Sequence, residues 1–311
     1  MPPSANSPGA RANSAHRSLM LKRTVTAVCL IALLIGLFAL SYFVDHGNIF
    51  LDLFIWILLV GAVREMYFCM QEAGFKLFRV PLAIFLVTSY PVMYLMEHFT
   101  GQGFLGLVIC FAAGVFAALV VFTFADPERN HAKDLFATVF VMVYPGFIIS
   151  LAWMLVQRYS AVYAIPFAIF LPVGADTFAY WFGSMIGGKK LCPTISPKKT
   201  VAGFVGGLFG GMLVSVIMFL LFEQFTLFPR AGYVPFTDAT WSSALIYLAI
   251  GLVGSLAGQL GDLAASRLKR ALGIKDFGKI FPGHGGIMDR FDSIMAGIIV
   301  LLVSFTIIYG I

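Results

Sequence analysis

Nine long apolar segments dominate the sequence and restrict what the chain can fold into. They run over residues 24–44, 49–63, 80–96, 104–124, 135–156, 161–186, 201–222, 241–261 and 288–310. A helix of roughly 20 apolar residues crosses a bilayer, and in lipid the backbone polar groups must be satisfied within the segment. The segments also lack the alternation of a membrane β-barrel strand. The sequence therefore predicts an all-α, polytopic transmembrane protein with about nine spans.

Composition agrees with this fold class and excludes others. Hydrophobic residues make up 60% of the 311-residue chain and charged residues only 12%, whereas a soluble domain carries roughly 25% charge. A water-soluble globular protein is thereby excluded. The net charge of +6 is modest, so nucleic acid is not an expected partner, and the four cysteines lack the spacing of a zinc site or disulfide framework.

The placement of positive charge predicts how the spans are oriented. Lysines and arginines lie before the first span and after the second, fourth, sixth and eighth, and only Arg158 and Arg230 lie on the other side. By the positive-inside rule the N-terminus is cytoplasmic, and residues 1–23 form a small, polar tail that we expect to be disordered. The two most basic loops, 187–200 and 262–290, then face the cytoplasm together.

Acidic side chains within the apolar pattern are the first candidates for a functional site, because a carboxylate is costly in hydrocarbon. The four that stand out are Asp176, Asp262, Asp289 and Asp292. The last two are three residues apart, so on a helix their Cβ atoms lie about 5–6 Å from each other and their oxygens can hold Mg²⁺. Asp52 and Glu65 lie near span ends and are expected to be structural or interfacial.

The two basic loops contain groups that can bind phosphate. Residues 187–200 combine glycines with four lysines, but a P-loop is rejected because no strand precedes them and Lys190 replaces the Mg²⁺-binding Ser or Thr. In the second loop, Asp262, Ser266 and Lys269 share one helical face by their spacing. Gly283, Gly285 and Gly286 surround His284 and can turn backbone N–H groups toward an anion.

These residues form a motif that resembles the signature of the CDP-diacylglycerol synthase, or phosphatidate cytidylyltransferase, family. The motif reads Ser266-Arg-Leu-Lys-Arg-x4-Lys275-Asp276-x-Gly-x3-Pro282-Gly-His-Gly-Gly-x2-Asp289-Arg290-x-Asp292. Upstream, Asp176-x3-Tyr180-x2-Gly183 and Ile195-Ser-Pro-Lys-Lys-Thr200 are also similar to that family. The first 160 residues match it only in being hydrophobic. One position departs, because Ala202 stands where the family commonly has Glu or Gln.

The resemblance implies an enzyme that transfers the cytidylyl group of CTP to phosphatidic acid, giving CDP-diacylglycerol and pyrophosphate. It implies Mg²⁺ as the metal, with Mn²⁺ as a substitute, and a bacterial cytoplasmic (inner) membrane protein with its active site facing the cytoplasm. Residues 24–160 would be N-terminal transmembrane helices and residues 161–311 the catalytic transmembrane domain. The oligomeric state stays open, with a homodimer as one option.

The expected site divides into three groups of residues. Catalytic roles are expected for Asp176, Lys269, Arg270, His284 and Arg290. Substrate-binding roles are expected for Tyr180, Lys189, Ser196, Lys198, Lys199, Thr200, Ser266, Lys275, Gly285 and Gly286. The metal ligands are expected to be Asp262, Asp289 and Asp292.

Three alternatives to this enzyme differ in class. A secondary transporter or lipid flippase would use intramembrane acids to carry ions, but no similarity between the two halves of the chain indicates inverted repeats. A CDP-alcohol phosphotransferase would show an aspartate pattern beginning Asp-Gly-x2-Ala-Arg, which the sequence lacks. A catalytically inactive paralogue is the third alternative, because of Ala202.

Overall fold

The computed structural model describes residues 8–126, 131–231, 233–280 and 285–310, with side chains from Thr24 onward. Helices account for most of this part of the chain. They are α1 (Pro8–Phe43), α2 (Asn48–Glu72), α3 (Arg79–Thr100), α4 (Gly103–Phe124), α5 (Ala132–Val141), α6 (Ile148–Arg158), α7 (Ala161–Ile186), α8 (Val201–Phe219), α9 (Thr240–Ala271), α10 (Met288–Phe291) and α11 (Ile294–Tyr309).

The nine predicted apolar segments all fall on helices. The fifth is divided into α5 and α6 by a π-helical segment, Met142–Phe147, where Pro145 lacks a backbone N–H and Tyr144 leaves helical geometry (φ −122°, ψ 103°). The ninth is divided into α10 and α11. The first helix begins at Pro8, so it extends into the residues for which composition predicts a disordered tail.

Seven helical segments of the described chain are long and apolar enough to cross a membrane. They are Thr24–Phe43, Arg79–Thr100, Gly103–Phe124, Ala132–Arg158, Ala161–Ile186, Val201–Gln224 and Thr240–Ala271. α11 is apolar but has only 16 residues, and α2 is a long helix outside this group of seven. The all-α membrane architecture thus agrees with the prediction. The predicted number of spans, nine, is larger than the number of these segments, seven.

The lysine-rich segment predicted as a loop is a two-stranded antiparallel hairpin. Strand β1 (Lys190–Cys192) pairs with β2 (Ser196–Thr200). Pro193 follows β1 directly, and its fixed φ favours the turn closed by the hydrogen bond from the Ile195 N–H to the Cys192 carbonyl, 3.2 Å long. The hairpin ends at Thr200, whose side chain caps α8 by accepting a hydrogen bond from the Gly203 N–H.

Helix α8 lies between α7 and α9 with its backbone close to both. A Cβ at Gly210 would come within 2.6 Å of the Gly174 carbonyl oxygen on α7, and one at Gly211 within 2.8 Å of the Gly251 carbonyl oxygen on α9. These glycines therefore allow the close helix packing that small residues give to membrane helices. The three helices form one tightly packed unit, with the hairpin joining α7 to α8.

The core of the molecule lies where α6, α7, α9 and α11 meet. Its largest fully buried side chains include Trp153, Tyr163, Phe167, Tyr247 and Phe305. Tyr163 and Tyr247 are joined by a hydrogen bond of 2.9 Å between their hydroxyls. This aromatic core fixes α11 against the α7–α9 unit and so positions the segment that precedes α11.

Candidate active site

A cavity of about 300 Å³ opens where the hairpin meets α7, α8 and α9. Its lining includes five residues that the sequence predicts for the site, namely Asp176, Tyr180, Lys198, Lys199 and Thr200. Asp176 and Tyr180 share a face of α7, because residues four apart on a helix point the same way. The structure thus brings the upstream motif together around one cavity, while the roles of its residues stay predictions.

An ion pair joins the hairpin to α9. Lys199 Nζ lies 2.5 Å from Asp262 Oδ2, and each side chain is 26% exposed. The two basic segments that charge placement assigns to the same side of the membrane are therefore in direct contact. This contact connects the upstream motif to the downstream one, although 62 residues separate the two partners in sequence.

A second lysine lies between two carboxylates near the end of α9. Lys269 Nζ is 3.0 Å from Asp289 Oδ1 and 3.7 Å from Asp292 Oδ2. All three side chains are largely buried, so water screens their charges less than it would at a surface. Lys269 therefore neutralises negative charge that would otherwise be unpaired in the interior.

Three of the predicted acidic residues, Asp176, Asp262 and Asp292, interact electrostatically, and we call them the carboxylate cluster. Asp292 precedes α11, and Lys269 and the Ser293 N–H offset its negative charge. Hard oxygen donors gathered in this way suit Mg²⁺ or Mn²⁺. Within the described residues, however, no three acidic, His or Cys side chains converge as a metal site.

Asp289 has a different environment from its neighbour Asp292. Its Oδ1 accepts from Lys269, and its Oδ2 accepts from the backbone N–H groups of Phe277, Gly278 and Gly286 at 2.9, 3.3 and 3.1 Å. Both oxygens are thus already engaged, which favours an anchor for the surrounding segment. The metal-binding role expected of Asp289 stays a prediction that this arrangement does not support.

Glu65, in the second half of α2, binds the same segment from the other side. It is 5% exposed, and its two oxygens accept from the Ile287 and Met288 N–H groups at 3.1 and 2.9 Å. Those donors lie at the start of α10, where the first N–H groups of a helix have no partner within the helix. Glu65 therefore stabilises the segment that carries Asp289 and Asp292, which agrees with the structural role that the sequence suggests.

The glycine-rich part of the motif is described only in part. His284 and Gly283 lie outside the described residues. Gly285 has φ +86°, a backbone conformation that favours glycine. The Gly286 N–H donates to Asp289 rather than pointing away from the protein, so the anion-binding role expected of it is not supported by this contact.

The remaining predicted residues are dispersed around the site. Lys189, Lys275 and Arg270 are exposed, and the Arg270 guanidinium donates to the Ile274 carbonyl past the end of α9. Ser196 belongs to β2, and Ser266 lies on α9 one turn from both Asp262 and Lys269. Arg290 lines a separate apolar cavity of about 220 Å³ near α1 and α2.

Two residues near the site were missed from the sequence. Gln259 lines the cavity one turn before Asp262, and its side-chain amide donates to the Phe204 carbonyl at 3.3 Å. Tyr144, in the break between α5 and α6, interacts electrostatically with Asp292, Asp262 and Asp289. A polar residue one turn from an acid could have indicated Gln259, whereas nothing local in sequence links Tyr144 to residues more than a hundred positions away.

Fold and site define an integral membrane protein with a charged cavity suited to a phosphate-bearing ligand. A model of the cytidylyltransferase family matches residues 21–308. The chain belongs to this family and is thus a nucleotidyltransferase. The expectation that the first 160 residues resemble the family only in hydrophobicity is wrong, because the match includes nearly all of them.

Curated relatives agree with the family assignment. A phosphatidate cytidylyltransferase of Staphylococcus saprophyticus is 33% identical over 276 residues, which cover 89% of this chain and 95% of the relative. Proteins of the same name from Staphylococcus aureus and Staphylococcus haemolyticus are 34% and 33% identical over the same shares. The similarity therefore extends across both halves of the molecule.

Proposed function

We propose that this protein transfers the cytidylyl group of CTP to phosphatidic acid, releasing pyrophosphate and forming CDP-diacylglycerol. One observation carries the proposal. Lys199 and Lys269 contact the carboxylate cluster beside a cavity at the end of membrane helices. The name that the curated relatives share supports the choice of phosphatidate as the acceptor.

The reaction requires charge control more than acid–base catalysis. The phosphate of phosphatidic acid is already ionised at neutral pH, so no strong base is needed to create the nucleophile. Its oxygen attacks the α-phosphorus of CTP, and the bond to the departing pyrophosphate breaks. Lys198 and Lys199 line the cavity, and we assign them to the CTP phosphates, whose negative charge they would neutralise.

The residues present fit a divalent cation, although not in the combination that the sequence suggests. Asp262 and Asp292, with Asp176 beside them, would hold it, because within the described part of the chain their oxygens contact only Lys199, Lys269 and the Ser293 N–H. When bound, Mg²⁺ supplies positive charge to the phosphate oxygens. Asp262 would then no longer need Lys199 for charge balance, and the lysine would be free to contact a nucleotide phosphate.

We further propose nine spans with a cytoplasmic N-terminus, in which α2 and α11 complete the seven longer segments. The positive-inside pattern supports this orientation. It opens the cavity to the cytoplasm, where CTP is dissolved, while the lipid substrate stays in the bilayer. The bacterial relatives support the cytoplasmic membrane as the location.

The test uses purified protein in detergent with labelled CTP, phosphatidic acid and Mg²⁺. We expect a lipid-soluble cytidine nucleotide to form, to disappear with EDTA and to return with Mg²⁺ or Mn²⁺. Full activity in chelator would contradict the metal proposal alone. Absence of product from folded protein that nevertheless moves phosphatidic acid across vesicles would contradict the enzyme and favour a flippase.

A further inference from the structure

The hydroxyl of Tyr144 is buried without a hydrogen-bond partner among the described residues. Tyr144 lies in the break between α5 and α6, where the backbone departs from helical φ and ψ. Buried hydroxyls nearly always have a partner, because an unpaired one loses its hydrogen bond to water without replacement. A ligand that binds next to Tyr144 would remove this cost.

The surroundings of Tyr144 indicate what such a ligand would be. Its strongest electrostatic interaction is with Asp292, followed by Asp262 and Asp289. The phenol donates to none of these carboxylates among the described residues, so its hydrogen-bond donor is unused. A phosphate accepts hydrogen bonds from a phenol. It also binds lysines and a cation held by carboxylates, so a phosphate fits these surroundings.

Two different elements approach the carboxylate cluster with phosphate-binding groups. From the hairpin, Lys199 pairs with Asp262 and interacts with Asp176. From the α5–α6 break, Tyr144 interacts most strongly with Asp292. The hairpin lies outside the apolar helices, whereas Tyr144 belongs to the apolar segment Ala132–Arg158. The first element is therefore placed for a dissolved nucleotide and the second for a lipid phosphate.

We propose that Tyr144 is a substrate-binding residue whose hydroxyl donates a hydrogen bond to a phosphate oxygen of phosphatidic acid at the carboxylate cluster. The inference deepens the proposed function and rests on it. A neutral donor suits this position, because it binds the lipid phosphate without competing with a cation for the carboxylates.

The kinetic test compares Tyr144→Phe with wild type and with Tyr163→Phe. The matched control loses a core hydroxyl that has a partner, Tyr247, whereas the Tyr144 hydroxyl has none among the described residues. We expect Tyr144→Phe to lower kcat/KM for phosphatidic acid about ten- to a hundredfold, the usual effect of one hydrogen bond to a charged group, while KM for CTP is unchanged. Tyr163→Phe should leave both parameters near wild type.

Thermal stability of the ligand-free variants separates binding from structure. Tyr144→Phe removes a hydroxyl that has no partner, so its Tm should equal or exceed that of wild type. Tyr163→Phe removes the hydrogen bond that Tyr163 donates to Tyr247 in the core, so its Tm should fall. A clear fall in Tm for Tyr144→Phe, with kcat/KM per folded molecule unchanged, would assign Tyr144 a structural role and overturn the proposal.

A binding measurement tests the proposal independently of turnover. Phosphatidic acid in dodecylmaltoside micelles should raise the Tm of wild type and of Tyr163→Phe. It should raise the Tm of Tyr144→Phe much less. The Tm shift caused by CTP should be equal in all three proteins. Equal shifts with phosphatidic acid, no shift in wild type, or a selective loss of the CTP shift would each overturn the proposal. If wild type binds as expected but forms no CDP-diacylglycerol, the proposed function fails while the Tyr144 contact stands.

Discussion

At the residue scale, Asp289 and Asp292 are three positions apart in sequence but have different surroundings. Asp289 accepts hydrogen bonds from Lys269 and three backbone N–H groups. Asp292 accepts one backbone N–H, has Lys269 at 3.7 Å and belongs to the carboxylate cluster. The first residue therefore stabilises its segment, and the second has fewer contacts, which agrees with the metal-binding role proposed for it.

Replacing Asp292 by Asn should lower kcat by at least about a hundredfold, because the charge that offsets a cation or lysine next to the phosphates is lost. The Tm should stay close to that of wild type, since Asn keeps the size of the side chain. Turnover per folded molecule and thermal unfolding are the two measurements. Asp52→Asn is the control, because Asp52 is also buried but accepts hydrogen bonds from Tyr90 and Gln157. Near-normal turnover of Asp292→Asn would remove this residue from the site.

Replacing Asp289 by Asn should instead destabilise the protein by about 1–3 kcal/mol. An amide group has one acceptor oxygen, so either Lys269 or the cluster of backbone N–H groups would face an NH₂ donor. The measurement is the Tm of the purified variant in the absence of substrate. An unchanged Tm combined with abolished turnover and lost Mg²⁺ dependence would restore Asp289 as a metal ligand.

At the scale of elements, the segment that carries Asp289 and Asp292 is bound by both α9 and α2. Lys269 contacts it through Asp289, and Glu65 contacts it through the N–H groups of Ile287 and Met288. The carboxylate of Glu65 also lies where a side chain on Gly286 would be, since a Cβ there would come within 2.3 Å of Glu65 Oε2. α2 thus fixes the position of Asp292 without lining the cavity.

The Gly286→Ala substitution should therefore lower both Tm and turnover, because the added methyl group forces Glu65 away from the two N–H donors that it binds. Combining it with Glu65→Ala should cost less than the sum of the single effects, since both changes disrupt the same contact. Gly36→Ala is the control, as a Cβ at that helical glycine meets no atom within 4 Å. Thermal unfolding of the four variants gives the coupling, and strictly additive effects would contradict the predicted contact.

Sequence patterns predicted the elements better than the contacts between them. Apolar length identified every long helix, and residue spacing grouped Asp176 with Tyr180 and Asp262 with Lys269. The hairpin was not predicted, because its strands are too short to show an alternating pattern. The anchoring role of Asp289 could not be predicted either, because its donors are backbone N–H groups, which carry no signature in a sequence.

At the scale of the whole molecule, the N-terminal helices contribute to the candidate site. Glu65 and Tyr144 both precede residue 160, yet they contact or interact with residues of the C-terminal motif. The sequence predicted a catalytic domain confined to 161–311, because hydrophobic spans carry few polar residues from which a contact can be inferred. The family match over residues 21–308 agrees with a single unit formed by both parts.

The proposed topology predicts the labelling of single cysteines introduced into a variant that lacks Cys29, Cys69, Cys110 and Cys192. Cysteines replacing Lys190 and Asp276 should react with an impermeant maleimide only from the cytoplasmic side, and one replacing Arg230 only from the opposite side. Opposite sidedness for Lys190 and Asp276 would contradict the ion pair between the hairpin and α9 as well as the count of nine spans.

The packing of α8 has a consequence for how this protein can change over evolutionary time. Its glycine face admits no side chain without separating α7 from α9, which would pull the hairpin from Asp262. On its outer face, Val205, Phe209, Leu213 and Ile217 recur every four residues and are exposed where lipid tails would lie. We therefore expect lineages to exchange these outer residues freely for other apolar ones, so that distant relatives would share the spacing of the α8 glycines long after its bulky residues have diverged.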